Sequence, residues 1–219
     1  MAVINGINQD TIKNMQLDAG ILIADKLDAE TIQAGVGWDS TIKTAISQKK
    51  HVGATKGATT FSATPEIRNI FEGIDGVRGD IKNGNVIDKW EVTLKTSITE
   101  FTLKNLEICL GASTEGSSGT HFDTIEPADM IANEDYKSFT WIGTMAGGEK
   151  PIVIVLNNCL NINGLTITAE DKNTGTVEVE LKAHIDLTKI GQEKQFKIYL
   201  PKDRTILAAS EAKELKLDK

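Results

Sequence analysis

The sequence predicts an α+β protein that is mainly β: an antiparallel β-sandwich or partly closed barrel with one flanking α-helix. Three observations predict it. From Ser138 onward, short runs of apolar residues at every second position are separated by Gly, Asn and Asp. A single stretch, 97–111, carries a capped stripe at helical spacing. Finally, only 5% of residues are aromatic, so the core must be built from Ile, Val and Leu, the residues that suit strands. A chain of 219 residues sits between one large β domain and two small ones, and length favours neither; 1–219 is read as a single domain.

The first strand is expected over Gln16–Ala24, on Leu17, Ile21, Leu22 and Ile23. Residues 25–60 change character: rich in Thr, Gly, Ala and Lys and weakly periodic, they read as a long loop or arm, with a poor helical signal at Thr41–Lys50. Gly73, Gly76, Gly79 and Gly84 then break the chain into turns. Val86–Thr96 is a clear strand, with Trp90, Val92 and Leu94 on the core side and Lys89, Glu91, Thr93 and Lys95 on the other. Ser97 with Glu100 reads as a capping box, with Thr99 the rival cap; Leu103, Leu106 and Leu110 form the helical stripe and Gly111 stops it. Residues 112–134 read as a polar loop.

Phe139 and Trp141 open the strand-rich half, followed by a primed turn at Gly147-Gly148 and a buried strand over Pro151–Leu156. Leu165 and Ile167 alternate with Thr after a turn or bulge at Asn163-Gly164, and Asp171–Gly175 turns again. Val177, Val179, Leu181, Ala183 and Ile185 then make the longest clean alternation, and Phe196, Ile198 and Leu200 the last strand. Residues 202–219 form a charged C-terminal extension.

With 31 acids against 24 bases, the formal net charge is −7, which disfavours a general nucleic-acid binder needing a basic stripe. Met1–Asp10 has neither a basic nor an apolar export region, the longest apolar run is Ile152–Leu156, and two cysteines make no disulfide framework. Synthesis in a cytoplasm, with no membrane contact, is the expectation.

The candidates for chemistry fail on spacing or partner, so no catalytic, cofactor or metal site is expected. His51, His121 and His184 are far apart, and no zinc spacing joins them. Asp171, Asn173 and Gly175 resemble the opening of a calcium loop, but its twelfth position is Lys182. Gly35, Gly37 and Ser40 half-match a dinucleotide fingerprint without its third glycine or leading strand. Arg78-Gly79-Asp80 is a chance-level tripeptide, and Ser113, Ser117 and Ser118 have no fixed base. Cys109 falls late in its helix, where a small buried hydrophobe is expected. An enzyme is therefore the weakest reading.

Two blocks have a familiar order. The first, from Gly53 to Ala112, holds Ala63-Thr64-Pro65-Glu66-Ile67-Arg68, Asp75-Gly76-Val77-Arg78-Gly79, the strand at Lys89-Trp90-Glu91-Val92 and a helix ending Leu110-Gly111-Ala112. The second, from Tyr136 to Pro201, holds Thr140-Trp141-Ile142-Gly143, Ala183-His184 and Phe196-Lys197-Ile198-Tyr199-Leu200-Pro201. In this order the chain resembles the major tail tube proteins of long-tailed (siphovirus-like) bacteriophages and related prophages of Gram-positive bacteria. The likeness covers roughly two-thirds of the chain and rests on block order rather than on one motif.

The resemblance implies a virion structural protein of the tail, assembled in the host bacterial cytoplasm. Its subunits would form hexameric rings stacked into a tube, with tape-measure, tail-terminator and tail-tip proteins as partners and genome DNA passing through the lumen without specific binding. Arm 25–60 would then order on contacting a neighbouring ring. An acidic lumen would repel DNA, and Glu178, Glu180 and Asp186 are the candidate lumen-facing acids, against an outer solvated face. Two other classes stay open: a related β-fold assembly protein (capsid decoration or secretion-tube subunit), and a carbohydrate-binding sandwich using Trp38.

Overall fold

A computed structural model describes residues 11, 15–145, 150–169 and 171–202. It is mainly β, with antiparallel pairing and few helices, in agreement with the predicted class. The chain divides into two compact units, interleaved in sequence.

The first unit contains residues 1–54, 137–157 and 196–219. Strand β1 (Gln16–Ile23) pairs antiparallel with β6 (Lys137–Met145), next to which lies β7 (Ile152–Asn161), whose first part belongs to this unit; β10 (Phe196–Tyr199) pairs antiparallel with β7. Two helices cover one face: α1 (Ala29–Ala34) and α2 (Trp38–Ser47). Ile32 and Ala45 from these helices are buried with Ile23, Ile142, Val153 and Val155 from the strands, and Trp38, Ile42 and Tyr199 pack around them. Segment 25–60, expected as an arm awaiting a neighbour, is therefore largely folded against its own unit. Each helix is too short to show strong periodicity, and capping sets the limits instead. Asp28 accepts from Thr31 N at 2.7 Å, and Gly35, at φ 65°, closes α1 in the left-handed conformation that glycine adopts without strain. Buried Thr140 anchors the segment, its hydroxyl donating to Asp25 O and accepting from Leu27 N.

On the opposite face of the same strands, the Trp141 ring lies where a Cβ on Gly20 or Gly143 would stand. The two glycines make a slot for the indole, so Trp141 is a packing residue. The Gly147-Gly148 turn and all but the first residue of the 202–219 extension lie outside the described residues. The first strand appears within one residue of its expected limit, whereas β10 departs from its pattern. Tyr199 joins the core, while Ile198 and Leu200 are exposed.

The second unit contains residues 55–136 and 158–195. Its strands run in the order β2 (Thr60–Asn69), β3 (Asn85–Ile98), β9 (Thr176–Ala183), with the end of β7 and β8 (Thr166–Thr168) also paired to β9. The buried face is assembled by register: Leu94 lies opposite Leu181, Thr96 opposite Val179 and Ile98 opposite Val177. The long alternation expected over 177–185 holds through Ala183 and then fails, with Ile185 exposed beyond the strand end.

Helix α3 (Leu103–Leu110) starts later than the capping-box reading. Strand β3 consumes Ser97, and Thr102 caps the helix by accepting from Asn105 N at 3.2 Å. The buried side chains are Asn105, Ile108 and Cys109, rather than the stripe of Leu103, Leu106 and Leu110. Asn105 tolerates burial because its amide donates to Glu100 O at 2.9 Å. Gly111 ends the helix as expected, at φ 85°. Segment 112–134, expected as a loop, carries a hairpin of β4 (Ser113–Ser118) and β5 (Asp123–Pro127).

Candidate assembly surface

Strands β2 and β3 pair from Thr60↔Lys95 to Asn69↔Asn85, but β9 accompanies β3 only at Thr93–Ile98. The outer part of the hairpin thus has no third strand among the described residues. Every residue of β3 from Asn85 to Glu91 is exposed, on both faces. A bulge between Glu66 and Ile67, with Asp88 as the extra residue of β3, shifts the register, so that Ile67, Ile87 and Trp90 share one face while Val86 lies opposite Arg68 on the other. All four are among the exposed large hydrophobics, as are Ile70, Ile74 and Ile81 in the connecting loop. Trp90, expected in the core, is 39% exposed: it has the right parity, but no described strand or helix packs over that stretch of sheet.

The connecting loop is nevertheless specific. Asn69 Oδ1 accepts from Phe71 N, Ile70 N donates to Gly84 O, and Gly84 N donates to Ile81 O, each at 2.9 Å. The Phe71 ring sits where a Cβ on Gly84 would fall, which explains glycine there. Along the strands, Arg68 donates twice to Asp88 (3.0 and 3.2 Å), and Lys89 lies 2.8 Å from Glu66. These carboxylates raise the pKa of Arg68 and of Lys89. A two-stranded ribbon of this length is marginal in water unless something packs on it, and clustered exposed apolar residues mark interaction surfaces.

The polar face of β9 carries two of the three acids singled out by sequence. Glu180 accepts from Asn163 Nδ2 at 2.5 Å and lies 3.4 Å from Lys95 Nζ; Glu178 shares its face and is exposed. Next along, Lys182 donates to Glu91 at 2.9 Å and lowers the Glu91 pKa. This face is a mixed-charge ladder rather than an acidic sheet. Asp186 is separate: it caps the 3-10 turn Leu187–Lys189, accepting from Thr188 Oγ1 at 2.7 Å and Thr188 N at 2.9 Å, which lowers its pKa.

The remaining candidates have structural surroundings. His184 is half-buried, edge-on to Tyr136 (centroids 5.2 Å) and 3.3 Å from Asn158 O. Asn173 of the calcium-like turn accepts from Lys56 Nζ at 2.6 Å, so an ammonium lies where the cation would sit. Gly35 and Gly37 flank the short helices, and Asp80 of the Arg-Gly-Asp tripeptide accepts from Asn69 at 3.2 Å. Burial pushes the Cys109 and Cys159 thiols up to about 12. No group of three or more His, Cys, Asp or Glu among the described residues is arranged to hold a metal. None of their helices is long and apolar enough to cross a membrane.

Sequence reasoning missed the exposed outer hairpin. Its only signal was the apolar load of a Gly-interrupted segment, with Ile67, Ile70, Ile74 and Ile81 showing no periodicity that a core could use. No family model matches the chain, and comparison with curated proteins also finds no match.

Proposed function

We propose that this chain is a non-catalytic structural subunit of a bacteriophage tail tube, self-assembling into stacked hexameric rings that conduct genome DNA. In that setting it resides in the virion tail and meets tape-measure, tail-terminator and tail-tip proteins. The observation that carries the proposal is the outer β2–β3 hairpin, whose large apolar side chains are exposed and have no covering layer among the described residues. A second subunit that packs on it removes the exposed surface and supplies the missing neighbour. The order of sequence blocks, the first of which spans this hairpin, adds support. With segment 25–60 folded in its own unit, the hairpin replaces it as the element bridging subunits.

The lumen assignment of Glu178, Glu180 and Asp186 is proposed in weaker form. Only Glu178 and Glu180 share a surface, and Lys95 and Lys182 dilute its charge. Negative-stain microscopy of concentrated protein tests the function: rings or tubes are expected. Monodisperse single chains at every concentration, with tape-measure protein added, overturn it.

A further inference from the structure

The first unit has a cleft of about 410 Å³ beside β10, and its chemistry is unusual for an acidic chain. Three lysines line it, Lys150, Lys197 and Lys202, around Trp38 and Tyr199, and among the described residues no carboxylate joins them. Lys197 Nζ stands 4.9 Å from the centre of the Tyr199 ring, and Ile198 and Leu200 extend the lining as exposed apolar residues. The cleft therefore suits an occupant with apolar side chains and several carboxylates.

The second unit exposes such a segment at 122–134. Phe122 and Met130 are each 81% exposed and Ile131 is 53% exposed. Glu126, Asp129 and Glu134 are interspersed with them, all exposed, and no basic residue falls between 122 and 135. Among the described residues, neither surface is covered.

We propose that the lysine-lined cleft of one subunit receives the acidic, apolar segment 122–134 of a second copy. This rests on the self-assembly reading above and names the surfaces that would meet. Because the two surfaces differ, the contact is head-to-tail, and repeating it generates a closed ring or an open filament rather than a two-fold dimer. Opposite charge orients the approach and the aromatic floor holds the apolar side chains.

Charge exchange tests it. The variant K150E/K197E/K202E and the variant E126K/D129K/E134K are each expected to raise the concentration needed for assembly at least about tenfold, since like charges then face each other. Circular dichroism and melting of each variant show that it is folded. Mixed in equal amounts, the two variants should assemble again, because each reversed surface finds its complement on the other chain. Wild-type protein that assembles while both variants assemble equally well overturns this contact and leaves the tail-tube reading standing. Folded variants that fail singly and stay apart when mixed also overturn it, leaving the cleft to another anionic occupant. Wild-type protein that never assembles removes both proposals.

Discussion

Between Val92 and Ile98, β3 buries every second side chain; between Asn85 and Glu91, the same strand buries none. The outer half also carries large apolar side chains, Val86, Ile87 and Trp90, but without the clean period of Val92, Leu94, Thr96 and Ile98 on the inner half. What separates them is a neighbour. β9 runs beside the inner half and contributes Val177, Val179, Leu181 and Ala183 to a shared face, whereas among the described residues only β2 accompanies the outer half. Alternation thus encodes which way a side chain points, while burial needs a second layer. An exposed half-strand that carries large apolar side chains is suited to a layer from another molecule.

The largest effect on the free chain should come from the inner half. Leu94 is fully buried, so Leu94→Ala removes its packing and leaves a cavity, at a cost of about 2–5 kcal/mol. Urea unfolding measures it. A loss below about 1 kcal/mol would mean that this half relies on its neighbours no more than the outer half does.

A second test concerns the polar tie behind the inner half. Asn161 is buried; its carbonyl accepts from Glu180 N at 2.9 Å, and its amide donates to Gly164 O at 2.9 Å and to Cys109 O. One side chain thereby joins the end of β7, strand β9 and the end of α3. Asn161→Ala strands these groups and should cost about 1–3 kcal/mol. An unchanged denaturation midpoint would show that water replaces the amide without loss.

The strand pattern of the second unit was legible because Val92, Leu94, Val177, Val179 and Leu181 obey one period on one strand each. Helix α3 was legible in type but not in face or start: Asn105 reads as polar, yet its hydrogen bonds let it take the buried position between Thr102 and Ile108. The helices of segment 25–60 were hidden because six- and ten-residue helices show little periodicity and are held by tertiary packing on Ile23 and Ile142. The candidate surface was least legible. Trp90 has a core residue's parity, and no local signal records that it is left 39% exposed. The acids Glu178 and Glu180 were placed correctly on a polar face, but the cross-strand lysines that temper them come from register.

A third prediction exploits the thiols of the covered region. Cys109 and Cys159 are raised from an ordinary 9.0 to about 12 by burial. The sign follows from linkage: below 9 both states hold the proton and stability is unaffected. Between about 9 and about 12 the unfolded chain releases it while the folded chain does not, so stability falls as pH rises through that window. The double variant C109A/C159A should show a flatter decline there. A thiol reagent at pH 8 should react with both cysteines only after denaturant is added.

The smallest effect on the free chain belongs to the outer half, and it is the most informative. Ile87 and Trp90 are exposed, so the double variant I87S/W90S should change unfolding free energy by no more than about 0.5 kcal/mol per site. If a second subunit packs on the hairpin, the same substitutions remove apolar contact from that interface and should suppress rings or tubes in negative stain. A variant that is destabilised as severely as Leu94→Ala would show that the outer half is already covered in the free chain. A variant that keeps both its stability and its assembly would show that the exposed apolar surface has another use. Loss of assembly with stability retained is the outcome that separates a strand half serving the fold from one serving a neighbour.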